Sequence, residues 1–411
     1  MSFVSLRFAA FVAAALAVWW LTPRRFRTPV LAFASFAFYA WASPAYAVLL
    51  AALAAADWLV GIRMHVSSRP RRWLAWGVGG TVAVLAAFKY TGMAVATASA
   101  ILEALGVGTA VAPSIVAPLG ISFIAFASIH YLVSVYRGDA PPAGLIETAA
   151  YLSFFPTITM GPIKRYPDFV RALRAGGDPT GPDDVAYAAA RVICGLAKKV
   201  VLADTLFVLT ARLQTHGAGS AARILLAVYA YAFYIYFDFS GYSDMAIGIA
   251  RLFGFRVMEN FDWPYLRRNL AEFWGAWHIS LTRFITEYVF IPLGGSRTGR
   301  WRTARNTLIA MAVSGLWHGA SWGFVAWGLW HGAGLVVVRW WRELTGGLKS
   351  RHPAFARACA HPVARGLLAT AGTVVTFNYV AMGWVLFAVP LREAPAIYSA
   401  MWRAIVALVT G

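Results

Sequence analysis

The sequence predicts an all-α polytopic membrane protein, read as one membrane-embedded domain over residues 1–411. Three observations predict it. Hydrophobic residues make up 60% of the chain and charged residues only 13%, a balance that would leave a water-soluble fold with large exposed apolar patches. Apolar stretches recur from residue 8 to residue 409. Basic clusters punctuate them at 24–27, 63–72, 164–174, 251–268, 297–305 and 339–351.

Taken in order, the apolar runs give eleven transmembrane helices: 3–21, 28–43, 45–62, 73–91, 115–136, 186–209, 222–250, 304–322, 323–340, 366–389 and 395–411. The first is not a cleavable leader. Only Arg7 precedes its apolar run, and TPRRFR follows with no small-residue cleavage site. Basic residues after this span favour an outside N-terminus, which puts all six basic clusters, and the C-terminus, on the cytoplasmic side. The connections assigned outside (44, 92–114, 210–221 and 390–394) carry few basic residues. Segments 148–160 and 269–292 are interrupted by Pro, Gly or charge and read as re-entrant helices. Such backbone is tolerated in a bilayer only where protein or a wet cavity covers it.

The net charge of +19 follows first from the positive-inside rule and second from attraction of an acidic ligand, such as a nucleotide-bearing donor or anionic lipid. The charges are scattered between apolar segments, which argues against nucleic acid as a partner. Cys194 and Cys359 form no spacing motif, so neither a disulfide framework nor a thiolate metal site is indicated. No His-Glu-x-x-His metal spacing and no Gly-x-Ser-x-Gly nucleophile elbow occurs; the expected metal set is none.

The chemistry concentrates in SGLWHGASWGFVAWGLWH, 314–331. An ionisable side chain at membrane depth costs free energy and marks a candidate functional site, and imidazole titrates near neutral pH. His318 lies 14 residues into the span beginning near Ala304, roughly 21 Å along an upright helix and past the midplane of a ~30 Å core. Gly315, Gly319 and Gly323 allow close backbone approach or a break, and Trp317 and Trp322 are placed to shield the ring. His278 lies in a helix-compatible segment, 269–286, with Trp274 at i−4 and Thr282 at i+4 on one face. His331 repeats the Trp-His-Gly context of His318; a packing or hydrogen-bonding role is expected for it, and the same for His130.

Three further clusters stand out. YIYFDFSGYSD, 234–244, holds Asp238 and Asp244, which need partners: arginines such as Arg267, Arg268 or Arg283, or tyrosine hydroxyls. FFPTITMGPIKRY, 154–166, cannot be one continuous helix and leaves Lys164 and Arg165 at the cytoplasmic face, as anchors or as attractors of donor phosphates. YVFIPLGGSRTGRWRTAR, 288–305, reads as a cytoplasmic basic loop rather than a phosphate cradle, because it has no Walker spacing.

These clusters, in this order, resemble the membrane-bound O-acyltransferase family, and within it the bacterial branch of the alginate O-acetylation membrane protein. The matching text is PLGISFIAFASIHYLVSVYRG (118–138), SFFPTITMGPIKRY (153–166), YFDFSGYSDMAIGIARLFGF (236–255), ENFDWPYL (259–266), EFWGAWHISLTRFITEYVFIPLGG (272–295) and GLWHGASWGFVAWGLWHG (315–332). The resemblance sets a core at about 118–332, with N-terminal helices over 1–117 and C-terminal helices over 333–411. It implies tilted and re-entrant helices around a central funnel, and transfer of an acyl group, acetyl first of all, between the two faces of the bacterial inner membrane. By that resemblance His318 is catalytic and His278 is a second important position. The substrate-binding candidates are Trp317, Trp322, Trp274, Trp277, Asp238, Ser240, Tyr242, Lys164 and Arg165. No permanently bound cofactor is implied; the donor is a cytoplasmic acyl thioester, acetyl-CoA for acetylating members. The implied partners are membrane lipid, an extracytoplasmic acyltransferase and, through it, a polysaccharide.

The chain is shorter at its C-terminus than alginate-branch relatives, and closer in length to the branch that exports D-alanine for teichoic acids. D-alanyl transfer is therefore one alternative. A proton-coupled transporter relaying through His318, His278 and Asp238 is another, though no repeat symmetry supports it. A passive scaffold for an envelope-polymer complex is the third.

Overall fold

The computed structural model describes residues 3–108, 115–177, 181–214 and 221–410. These form eighteen α-helices: α1 Leu6–Leu21, α2 Arg27–Ala42, α3 Pro44–Val66, α4 Pro70–Lys89, α5 Thr91–Ala104, α6 Ile121–Arg137, α7 Leu145–Ser153, α8 Tyr166–Arg174, α9 Pro182–Leu196, α10 Asp204–Gln214, α11 Ala221–Leu252, α12 Leu270–Ala276, α13 Ile279–Ile285, α14 Arg300–His318, α15 Trp322–Arg351, α16 Pro353–Ala360, α17 Pro362–Ala388 and α18 Ala394–Thr410. A π turn, Ala197–Ala203, joins α9 to α10, and another, Thr286–Phe290, follows α13. The all-helical class is as expected.

Local chemistry sets many boundaries. Ser5 and Ser43 cap α1 and α3 by accepting from the amides of Phe8 and Tyr46. Proline opens α3, α4, α9, α16 and α17, where its missing N–H costs nothing. By length and apolar composition α3, α11 and α17 are each able to cross a membrane, and α4 with α5 makes a fourth candidate span bent by 62°. The expected outside loop 92–114 is thus corrected: its first part is α5, and 109–114 lie outside the described residues, as do 215–220 of the loop 210–221.

The chain divides into two compact units, Met1–Val200 with Phe239–Glu259, and Val201–Asp238 with Asn260–Gly411, so α11 contributes to both. In the first, aromatic rings form the core: Phe8, Phe38 and Phe155 meet at 5.8 to 6.5 Å, and Phe169 stacks on Phe255 at 4.7 Å. Segment 148–160 is helical only to Ser153 and then turns, as its Pro156 requires. Polar groups among these helices are bonded to one another: Ser128 donates to Asp57 at 2.9 Å and lies 2.8 Å from Thr81.

Asp244 departs from expectation. Its partners are Arg191 at 2.6 Å and Lys198 at 2.7 Å, not Arg267, Arg268 or Arg283. The reason is backbone proximity. A Cβ on Gly195 would come within 2.6 Å of the Gly241 carbonyl, so α9 lies against α11, and α9 with the π turn that follows it carries Arg191 and Lys198 to the carboxylate. Arg267 bonds Asp262 instead.

In the second unit α14 and α15 pack side by side and α15 packs on α17. Trp327, Trp384, Val380 and Ile397 are fully buried there. The expected spans 304–322 and 323–340 are displaced in register. Helix α14 ends at His318, and α15 runs on to Arg351, carrying the basic cluster 339–351.

Candidate active site

The site is assembled in the second unit by α12, α13, α14, α15 and α17. His318 is the last residue of α14, and Gly319 leaves the helix in an extended conformation. His318 stands eighteen residues after Arg300, roughly 27 Å along the helix axis. The turn is tight because glycine permits it. A Cβ at Gly315 would strike the Phe324 carbonyl, and one at Gly328 would strike the Met311 carbonyl.

His318 is partly buried, whereas His278 is 0% exposed. The two imidazoles lie 6.4 Å apart, and Trp317 touches both, at 4.6 Å from His318 and 5.5 Å from His278. Trp327 and Phe387 meet the other sides of His318 edge-on, each at 5.1 Å. Trp322, expected to shield His318, is 55% exposed, and Trp327 lies against the ring. Trp327 carried no signal beyond belonging to the aromatic run 314–331.

The helix expected across 269–286 is broken at His278. Helix α12 ends at Ala276, α13 starts at Ile279, and His278 has φ 42° and ψ 54°, the left-handed region. Trp274 and Thr282 are therefore not on one continuous helical face with it. Trp274 instead packs edge-on to Trp327 at 5.6 Å and to His331 at 5.2 Å. Trp277 stacks on Phe273 at 5.6 Å and touches Trp384 at 5.0 Å, within the core.

A cavity of about 570 Å³ runs beside this cluster. Ser314, one turn before His318, lines it together with Trp274, Thr282 and Thr286, and so do Arg339, Arg342 and Glu343 of α15. Arg339 donates to Glu343 at 3.1 Å, and Arg342 donates to Asn269 at 2.9 Å. The arrangement offers a largely apolar cavity with charge among its lining residues and two imidazoles one turn away. Arg339 and Arg342 were visible in the sequence only as part of a basic cluster.

The remaining candidates are not in this cluster of rings. Asp238 is partly buried on α11. Ser240, Tyr242, Lys164 and Arg165 belong to the first unit: Ser240 is buried, Tyr242 packs against Phe3 at 5.9 Å, and Arg165 is exposed. Lys164, expected at the surface, is only 7% exposed and lies over the Tyr151 ring at 4.9 Å. Its segment folds back beneath α7, where the Tyr151 hydroxyl donates to the Lys164 carbonyl. Among the described residues no group of three or more His, Cys, Asp or Glu side chains is placed to hold a metal ion.

Comparison with known proteins gives this geometry its context. A sequence model of the membrane-bound O-acyltransferase family matches residues 104–382. The chain is 37% identical over 396 residues to the probable alginate O-acetylase AlgI of Pseudomonas putida, covering 94% of this chain and 77% of that one. It is 30% identical to the peptidoglycan O-acetyltransferase of Helicobacter pylori, over 87% of this chain and 70% of that protein. It is 28% identical to the teichoic acid D-alanyltransferase of Streptococcus thermophilus, over 66% and 68%. The chain therefore belongs to the membrane-bound O-acyltransferase family and is an O-acyltransferase of the membrane, with alginate O-acetylases among its relatives.

Proposed function

We propose that this protein takes an acetyl group from cytoplasmic acetyl-CoA and passes it to a hydroxyl on the far side of the inner membrane, for O-acetylation of an envelope polysaccharide or exopolysaccharide. The observation that carries this reading is the pair of imidazoles 6.4 Å apart, one helical turn from the cavity that Ser314 and Trp274 line. Arg339 and Arg342 among the cavity's lining residues suit the phosphates of the donor, and the positive-inside rule puts them in the cytoplasm with the N-terminus outside.

His318 accepts the proton of the acceptor hydroxyl as its oxygen attacks the thioester carbonyl, the task of a base that titrates near neutral pH. The C–S bond then breaks, and the departing thiolate takes up that same proton from the His318 imidazolium, directly or relayed through His278. The aromatic wall of Trp317, Trp327 and Phe387 excludes water, so dipoles directed at the developing oxyanion act with more force than in water. The acceptor is carried by an extracytoplasmic acyltransferase partner.

Inside-out membrane vesicles containing the full chain, supplied with radiolabelled acetyl-CoA, test this. The expected result is label in the envelope polymer, lost with His318→Ala. The double variant Arg339→Ala/Arg342→Ala should raise the donor KM several-fold, with the difference shrinking at high salt. Transfer from a D-alanyl donor with none from acetyl-CoA would assign the D-alanyl alternative; a solute gradient without acyl transfer would assign the transporter.

A further inference from the structure

From the segment that precedes α12 we infer that Asn260 is a positioning residue for His278, holding its backbone in the left-handed conformation that places the imidazole beside His318. This rests on the reading that His278 takes part in acyl transfer.

Among the described residues only two non-glycine positions have positive φ, Trp263 and His278, and both lie beside one short antiparallel pairing. Phe261 bridges to Trp277, and the Asp262 amide donates to the Ala276 carbonyl at 3.0 Å. On the other side of His278, the Ile279 amide donates to the Asn260 carbonyl at 3.0 Å. The Asn260 side chain completes the clamp: its Oδ1 accepts from the Ser280 amide at 3.3 Å and from the Ser280 hydroxyl at 2.7 Å. Asn260 is 0% exposed. The residues before and after His278 are thus tied to one strand-like segment. A left-handed non-glycine residue persists where its surroundings over-determine it. The Asn260 Oδ1 takes the place of the carbonyl that a continuous helix would offer to the Ser280 amide. Without it, residues 278–280 are free to rejoin α12 and α13 as one helix, which swings the imidazole away from His318.

The vesicle assay with acetyl-CoA tests this across a donor concentration series. Asn260→Ala should lower kcat by about 10- to 100-fold while the donor KM stays within about twofold, the pattern of a misplaced reacting group. Asn260→Asp, which keeps the acceptor oxygen, should recover most of that loss. Ser280→Ala removes one of the two side-chain bonds and should show a smaller fall, again in kcat. It serves as the second variant if Asn260→Ala does not fold. In a His278→Ala background, Asn260→Ala should cost nothing further. If His278→Ala is impaired and the two losses multiply, Asn260 acts elsewhere and the proposal fails alone. If His278→Ala turns over at the wild-type rate, or wild type transfers nothing from acetyl-CoA, the underlying reading falls and the proposal with it. Wild-type kcat in both Asn260→Ala and Ser280→Ala also overturns it.

Discussion

Trp317-His318-Gly319 and Trp330-His331-Gly332 have the same wording and different surroundings. His318 closes α14, is partly buried and faces His278. His331 sits mid-helix in α15, is 0% exposed, and is caged by Trp274, Trp327 and Tyr379 at 5.0 to 6.2 Å. Among the described residues neither of its ring nitrogens has a hydrogen-bond partner. Trp327 separates the two histidines and touches both. The glycines differ in the same way: Gly319 ends a helix, whereas Gly332 continues one and packs against Leu308 and Met311. What distinguishes the two imidazoles is therefore the place where the helix stops, not the tripeptide.

The largest expected effect tests that contrast directly. His318→Ala should reduce acyl transfer by roughly 10²- to 10⁴-fold, the range for removal of a positioned general base. His331→Leu should stay within about threefold of wild type in the same vesicle assay. Equal losses at the two positions would erase the distinction.

Next in size is the spacing of the two helices. Gly328→Val puts a branched side chain against the Met311 carbonyl, and a backbone atom cannot rotate away. Overpacking of this kind costs about 1–3 kcal/mol, read as an earlier thermal transition of the detergent-solubilised protein. An unchanged transition would mean that the α14–α15 contact is looser than described.

A finer comparison concerns His278 alone. Ala in the left-handed region is strained and Gly is not, so His278→Gly should be about 1 kcal/mol more stable than His278→Ala, although both lack the imidazole. The two thermal transitions read this; His278→Ala melting at or above His278→Gly would sink the left-handed assignment.

Much of this was legible in the chain. The apolar run 222–250 became α11 almost residue for residue, and Pro362 opens α17 four residues before the expected span. His278, His318, Trp317 and Trp274 were all visible as candidates. What could not be read was long-range. Apolar residues continue across Gly319, so hydropathy sees no stop there; the stop is made by backbone contact with the next helix. The i−4 and i+4 neighbours of His278 look helical, and only the pairing with 260–262 breaks them. Asp244 found Arg191 and Lys198 through a glycine crossing that no local pattern announces.

The smallest effect is the stability of His331→Leu. Removing one partner of a buried hydrogen bond leaves the other unsatisfied and costs about 1–3 kcal/mol. Among the described residues His331 has no such partner, so an apolar side chain of similar volume gives up no bond there and removes two buried polar nitrogens. The expected change in the thermal transition is therefore near zero or upward, within about 1 kcal/mol. A large downward shift would mean that His331 is bonded, that the cage around it is polar, and that the two tripeptides are more alike than their surroundings indicate.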